Sequence, residues 1–142
     1  GLVHAAFSLY RASGGLWLLD TVGREAVRVS AQSRLLTGLG LGLVAFGKAA
    51  AALLPVGTAY GRLRGERLLR AVSWAGAVLL VLYGGVNTIL SNAVLAGAVS
   101  PDGGYDRQAM TGHAWLWDPL FTLWGLALLG YLLLSRARPV RP

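Results

Sequence analysis

The sequence predicts an all-α fold, a polytopic four-transmembrane-helix bundle, on two observations. Four apolar stretches, at residues 1–19, 35–56, 71–97 and 114–134, are separated by short arginine-bearing segments. Hydrophobic residues make up 55% of the 142 and charged residues 13%, with a mean hydropathy of +0.57. A span needs ~20 apolar residues to cross ~30 Å of hydrocarbon, and a soluble domain could not keep four such stretches exposed. Residues 1–142 are therefore expected to form a single integral membrane domain, with the lipid bilayer as its first partner.

The first stretch is slightly short, and the chain begins at Gly1 already inside an apolar run. This predicts a first helix truncated at its N-terminus. A signal peptide would show a basic start and a small-residue cleavage site, so the stretch reads as a retained span. His4, Ser8, Arg11 and Gly15 follow spacings of four, three and four, which makes one helical face polar.

The second stretch carries Gly38, Gly40, Gly42 and Gly47. Membrane helices associate through small residues that let backbones approach, and Gly38 and Gly42 form such a pair. The third places Ser73, Ala77, Leu80, Gly84, Asn87 and Ser91 on one mostly small, mildly polar face that should meet protein. It exceeds the membrane thickness, so its outer end is expected to project, or the helix to bend near Gly84 and Gly85. In the fourth, Asp118 and Pro119 suit a first helical turn, where proline needs no amide partner. A start near His113 would instead make Pro119 a kink.

Orientation follows from the loops. Arg62, Arg64, Arg67 and Arg70 stand against Glu66, and the tail carries Arg136, Arg138 and Arg141 without an acid. Both segments should be cytoplasmic. The loops holding Arg24, Arg28 and Arg34, and Arg107 with Asp102 and Asp106, should face outward, which puts both termini inside. Trp17, Trp115 and Trp117, with Tyr105, fit the outer headgroup level; Tyr60 and Trp74 mark the inner one.

The formal charge of +7 does not imply nucleic acid, because the basic residues sit at span ends without a continuous basic face. Twelve arginines to one lysine, among many Ala, Gly, Leu and Val, suit a GC-rich bacterial gene and hence a bacterial cell membrane. Without cysteine there is no disulfide, thiolate metal site, iron–sulfur cluster or thiol redox chemistry. Phosphate-loop, serine-elbow and zincin motifs are also missing, and two histidines expected on opposite membrane sides make poor haem or zinc ligands. No cofactor or metal is expected.

Ionisable groups at membrane depth mark candidate sites, and His4, Arg11, Lys48 and Asn87 form a candidate polar cavity or anion-binding set. Arg11 and Lys48 fall at neighbouring central levels with no acid at the centre of any span, so an anion or a lipid headgroup would relieve their repulsion. Each also has a structural reading: Lys48 snorkelling toward Pro55, Arg11 held by Asp20, Asp118 or carbonyls, His4 at the inner interface, and Asn87 as interhelical glue. Trp17, Asp20, Asn92, His113, Trp117 and Asp118 form a candidate outer-side cluster, which interfacial anchoring also explains.

Gly14, Gly15, Trp17, Leu19 and Asp20, Lys48 with Leu54 and Pro55, Tyr83, Gly84 and Gly85, and His113, Leu116, Trp117, Asp118, Pro119 and Trp124 carry a resemblance over nearly the whole chain. The sequence resembles a family of small four-span bacterial membrane proteins of unknown function, domain of unknown function family 3995. Arg11 departs from the aromatic residue more usual there, and the family usually has more chain before the position of Gly1. The resemblance implies a fold and a location but no reaction.

Three functions fit. The first is a non-enzymatic accessory or interaction protein, with a protein partner or a second copy of itself. The second is a binding or transport module for an anionic lipid headgroup or small anion, with lipid bound at the buried cations. The third is an intramembrane enzyme using His113 and Asp118, which requires both to converge in a water-filled pocket.

Overall fold

The computed structural model describes residues 1–23, 28, 33–59 and 66–135, and they contain helices and turns but no strand. The helices are α1 (Leu2–Ala12), α2 (Arg34–Ala59), α3 (Glu66–Leu95), α4 (Arg107–Gly112) and α5 (Asp118–Leu134). A 3-10 turn at Leu19–Thr21 follows α1, and a π-helical segment at His113–Trp117 makes α4 and α5 one run. Three helical stretches are long and apolar enough to cross a membrane: Leu35–Gly57, Arg67–Leu95 and Arg107–Leu134. Their outward faces expose Leu39, Leu43 and Phe46 on α2 and Leu79, Leu82 and Ile89 on α3, surface suited to lipid chains. Arg24, Glu25, Tyr60, Arg62, Arg64, Arg136, Arg138 and Arg141, on which much of the expected orientation rests, lie outside the described residues.

The expected first span, residues 1–19, is corrected. Helix α1 has 11 residues and rises only about 16 Å, half of what a span requires. It stops because the glycine pair closes it. Gly14 takes φ +93°, its N–H donates to the Arg11 carbonyl at 3.0 Å, and the Gly15 N–H donates to the Tyr10 carbonyl at 2.9 Å. These two bonds form a Schellman cap, which consumes the last free carbonyls and turns the chain away.

Two antiparallel helix pairs make up the bundle. In one, α1 lies on α2 with Ala12 beside Gly38, Ser8 beside Lys48 and Gly1 beside Ala52. In the other, α3 and α5 form the most extensive pairing in the molecule. A Cβ on Gly84 would fall 2.5 Å from the Asp118 carbonyl, and one on Gly125 would fall 2.8 Å from the Ala77 carbonyl, so glycine on each helix permits the crossing. Arg70 ties off the far end of this pair, donating to the Leu132 carbonyl at 2.6 Å and to Ser135 Oγ at 3.1 Å. Its cation thereby meets the negative end of the α5 dipole. The pairs are joined where the Tyr131 hydroxyl donates to the Pro55 carbonyl at 3.0 Å and where His4 reaches Trp117.

The small-residue face of α3 packs as its spacing indicates: Ala77, Gly84 and Ser91 are buried, and Ser73, Leu80 and Asn87 half-buried. The helix runs through Gly84 and Gly85 without interruption, reaching about 45 Å. In α2 only Gly38 is used as expected. Gly40, Gly42 and Gly47 have no neighbour within 4 Å of the Cβ position; at about 100° per residue Gly40 and Gly47 fall about 200° and 180° around the helix from Gly38, on the face turned away from α1.

Both readings of Pro119 hold in part. The helical run begins at Arg107, where Asp106 Oδ1 accepts from the N–H groups of Gln108 (3.0 Å) and Ala109 (3.3 Å). Pro119 nevertheless occupies the first turn of a new α segment, because the π turn before it changes the hydrogen-bond register.

Candidate functional site

The polar face of α1, the middle of α2 and the π segment, with α3 and α5, line one partly open cavity of about 160 Å³. Its lining includes His4, Ser8, Arg11, Lys48, His113 and Asp118, with Phe7, Tyr83, Trp117 and Phe121 as aromatic walls. One water needs only ~15 Å³ of such space, so the cavity has room for several waters or a small ligand group.

Helical spacing on α1 does what the sequence indicates, since His4, Ser8 and Arg11 share the cavity face and His4 and Ser8 are buried. His4 Nε2 lies 3.2 Å from the Trp117 carbonyl. A carbonyl can only accept, so this nitrogen carries the ring proton. The imidazole also stacks on Phe121, with centroids 3.9 Å apart and planes 17° off parallel.

Lys48 Nζ donates to Ser8 Oγ at 3.1 Å and lies 5.7 Å from the centre of the Phe121 ring. The side chain stays inside the bundle rather than running to the end of α2. Arg11 donates to the Leu18 carbonyl and places its guanidinium 5.6 Å from the Trp117 ring centre. An aromatic face and a serine hydroxyl therefore hold Lys48, and an aromatic face and a backbone carbonyl hold Arg11. Leu18 presents its carbonyl from a left-handed backbone conformation, φ +59°.

Two expected positions are corrected. His4 and His113 are not held apart at opposite ends of the helices, because antiparallel packing of a short α1 places His4 against Trp117 and Phe121, in the same cavity lining as His113. Asp118 does not stand exposed at a helix end. It sits eleven residues into the Arg107–Leu134 run, level with Gly84 in the middle of α3, and is 1% exposed. An acid thus shares the cavity of Arg11 and Lys48.

His113 Nδ1 lies 3.0 Å from Asp118 Oδ2, and the Asp118 N–H donates to the His113 carbonyl. Trp117, between them in sequence, is buried; its indole N–H is shared by the Thr21 carbonyl at 3.2 Å and Thr21 Oγ1 at 3.1 Å. This bond fastens the loop after α1 over the cavity, where Val22 completes the lining.

The other expected residues lie elsewhere. Trp17 is 65% exposed and stacks on Phe7, and Asp20 is exposed in the 3-10 turn. Asn92 Nδ2 donates to the Thr88 carbonyl at 2.8 Å and makes a long 3.5 Å contact with the Ala114 carbonyl. Asn87 is half-buried on α3, outside the lining. Sequence reasoning missed Phe7, Tyr83 and Phe121 as walls. For Phe121 a signal existed, since it lies one helical turn after Trp117 and Asp118. Among the described residues, no three His, Asp or Glu side chains gather closely enough to hold a metal ion.

A family model covers residues 1–128, which include every residue of the cavity. The chain belongs to DUF3995. That family is described only as proteins of unknown function. No curated protein and no solved structure matches the chain. DUF3995 thus supplies kinship without chemistry, and the cavity is the available guide to activity.

Proposed function

We propose that this protein is a membrane-embedded binding module for an anionic group, either a lipid headgroup or a small free oxyanion. The observation that carries the reading is the convergence of Arg11 and Lys48 on one cavity. Two cations in a low-dielectric site repel each other, and within the lining Asp118 offsets only one of them, while the charge of Asp20 reaches Arg11 from an exposed, solvent-screened position. One positive charge is left for a ligand. The aromatic walls suit the apolar body that joins a lipid headgroup to its chains.

Native mass spectrometry tests this on protein released from nanodiscs of phosphatidylcholine mixed with phosphatidylglycerol. Retained phosphatidylglycerol, lost in Lys48→Met and Arg11→Leu, supports the headgroup source. Binding of sulfate in phosphatidylcholine discs, lost in the same variants, supports a free oxyanion. If neither anion binds, or both variants bind like the original, the reading fails and a packing or interaction role takes its place.

A further inference from the structure

We infer that His113 is a proton-binding site of this cavity, so that an anion and a proton load together; the inference rests on the anion-binding reading above. Asp118 is its positioning residue. The geometry assigns the roles. An ionised carboxylate only accepts hydrogen bonds, so Asp118 Oδ2, 3.0 Å from Nδ1, fixes the ring proton on Nδ1 and leaves Nε2 as the nitrogen that takes up the next one. The carboxylate is buried, with its side chain 2% exposed, whereas the imidazole is 37% exposed and also lines the cavity. One ring therefore touches both the edge of the bundle and the ligand space.

The surrounding charges set the direction of coupling. Facing this site are Arg11 and His4 from α1, Lys48 from α2 and Tyr83 from α3, while Asp20 sits exposed in the turn that covers Trp117. Arg11 and Lys48 against Asp118 leave one positive charge. Protonating His113 in the empty cavity raises the net charge to two. A dianion cancels it, because two positive charges then match two negative ones and the filled cavity is neutral. By linkage, whatever factor the proton adds to anion affinity, the anion adds to proton affinity.

The test uses the full chain with ¹⁵N-labelled histidine rings in phosphatidylcholine nanodiscs and in discs containing phosphatidylglycerol. Sulfate is the free probe, since its charge is constant over the range in which histidine titrates, about pH 5 to 8. Nitrogen NMR follows both histidines, assigned with His4→Phe and His113→Gln. We expect His113 as the Nδ1–H tautomer at the alkaline end. Sulfate, a dianion, should raise its titration midpoint by about half a unit or more, a threefold change or greater, and phosphatidylglycerol, whose phosphodiester carries a single charge, should raise it by less. Sulfate binding should weaken at least correspondingly from acid to alkaline pH and lose that dependence in His113→Gln. Asp118→Asn should mix the two tautomers and flatten the profile. If that variant does not fold, the midpoint in the original chain alone decides. Anion binding with an unmoved His113 overturns the proton site and leaves the binding reading standing; no anion binding at any pH overturns both.

Discussion

His113 and Asp118 are bonded twice across the π segment, once by backbone and once by side chain. In a regular α-helix, residues five apart point about 140° away from each other. The wider turn brings them to one side. π bulges are rare and recur at functional sites, and this one faces Asp118 toward a cavity that also holds Arg11 and Lys48.

The glycine crossing of α3 and α5 predicts a contrast between neighbours. Gly84→Ala would push a methyl group against the backbone of Asp118 and Thr122 and should destabilise by about 1–3 kcal/mol. Gly85→Ala meets open space and should be neutral, or stabilising by up to ~1 kcal/mol through helix propensity. Thermal unfolding of the two variants in one detergent checks the sign of each.

Lys48→Met should leave the bundle folded and its stability unchanged or slightly raised, because replacing a buried cation with an apolar chain of similar length relieves desolvation. Anion retention is what it should lose. A variant that unfolds while the original is stable would show that the Ser8 and Phe121 contacts hold the α1–α2 pair together.

Trp117→Phe removes the indole N–H that Thr21 accepts, while keeping an aromatic ring against Phe7. The expected cost is about 1 kcal/mol. Its location should be specific: hydrogen exchange should rise across residues 13–23, with α3 and α5 unaffected.

Arg70→Ala leaves the Leu132 carbonyl without its guanidinium and removes a cation from the α5 C-terminus. Fraying confined to residues 130–135 is expected, at a cost of roughly 0.5–1.5 kcal/mol. Exchange protection along α5 would show it as a gradient toward Ser135.

The sequence by itself determined what depends on composition and local periodicity. Apolar length gives three membrane-length helices, the small-residue face of α3 is the one that packs, and His4, Ser8 and Arg11 share a face of α1. The end of α1 was also local, because Gly14 and Gly15 cap it, yet an apolar stretch running on to Leu19 outweighed that signal. Only the tertiary structure decided which polar groups meet. The depth at which α1 sits against α2 and α5 places His4 on Trp117, and the π turn sets Asp118 toward Lys48 and Arg11. Helix offset comes from side-chain packing between distant segments, and a π turn is one residue of hydrogen-bond register. Neither alters composition or hydropathy.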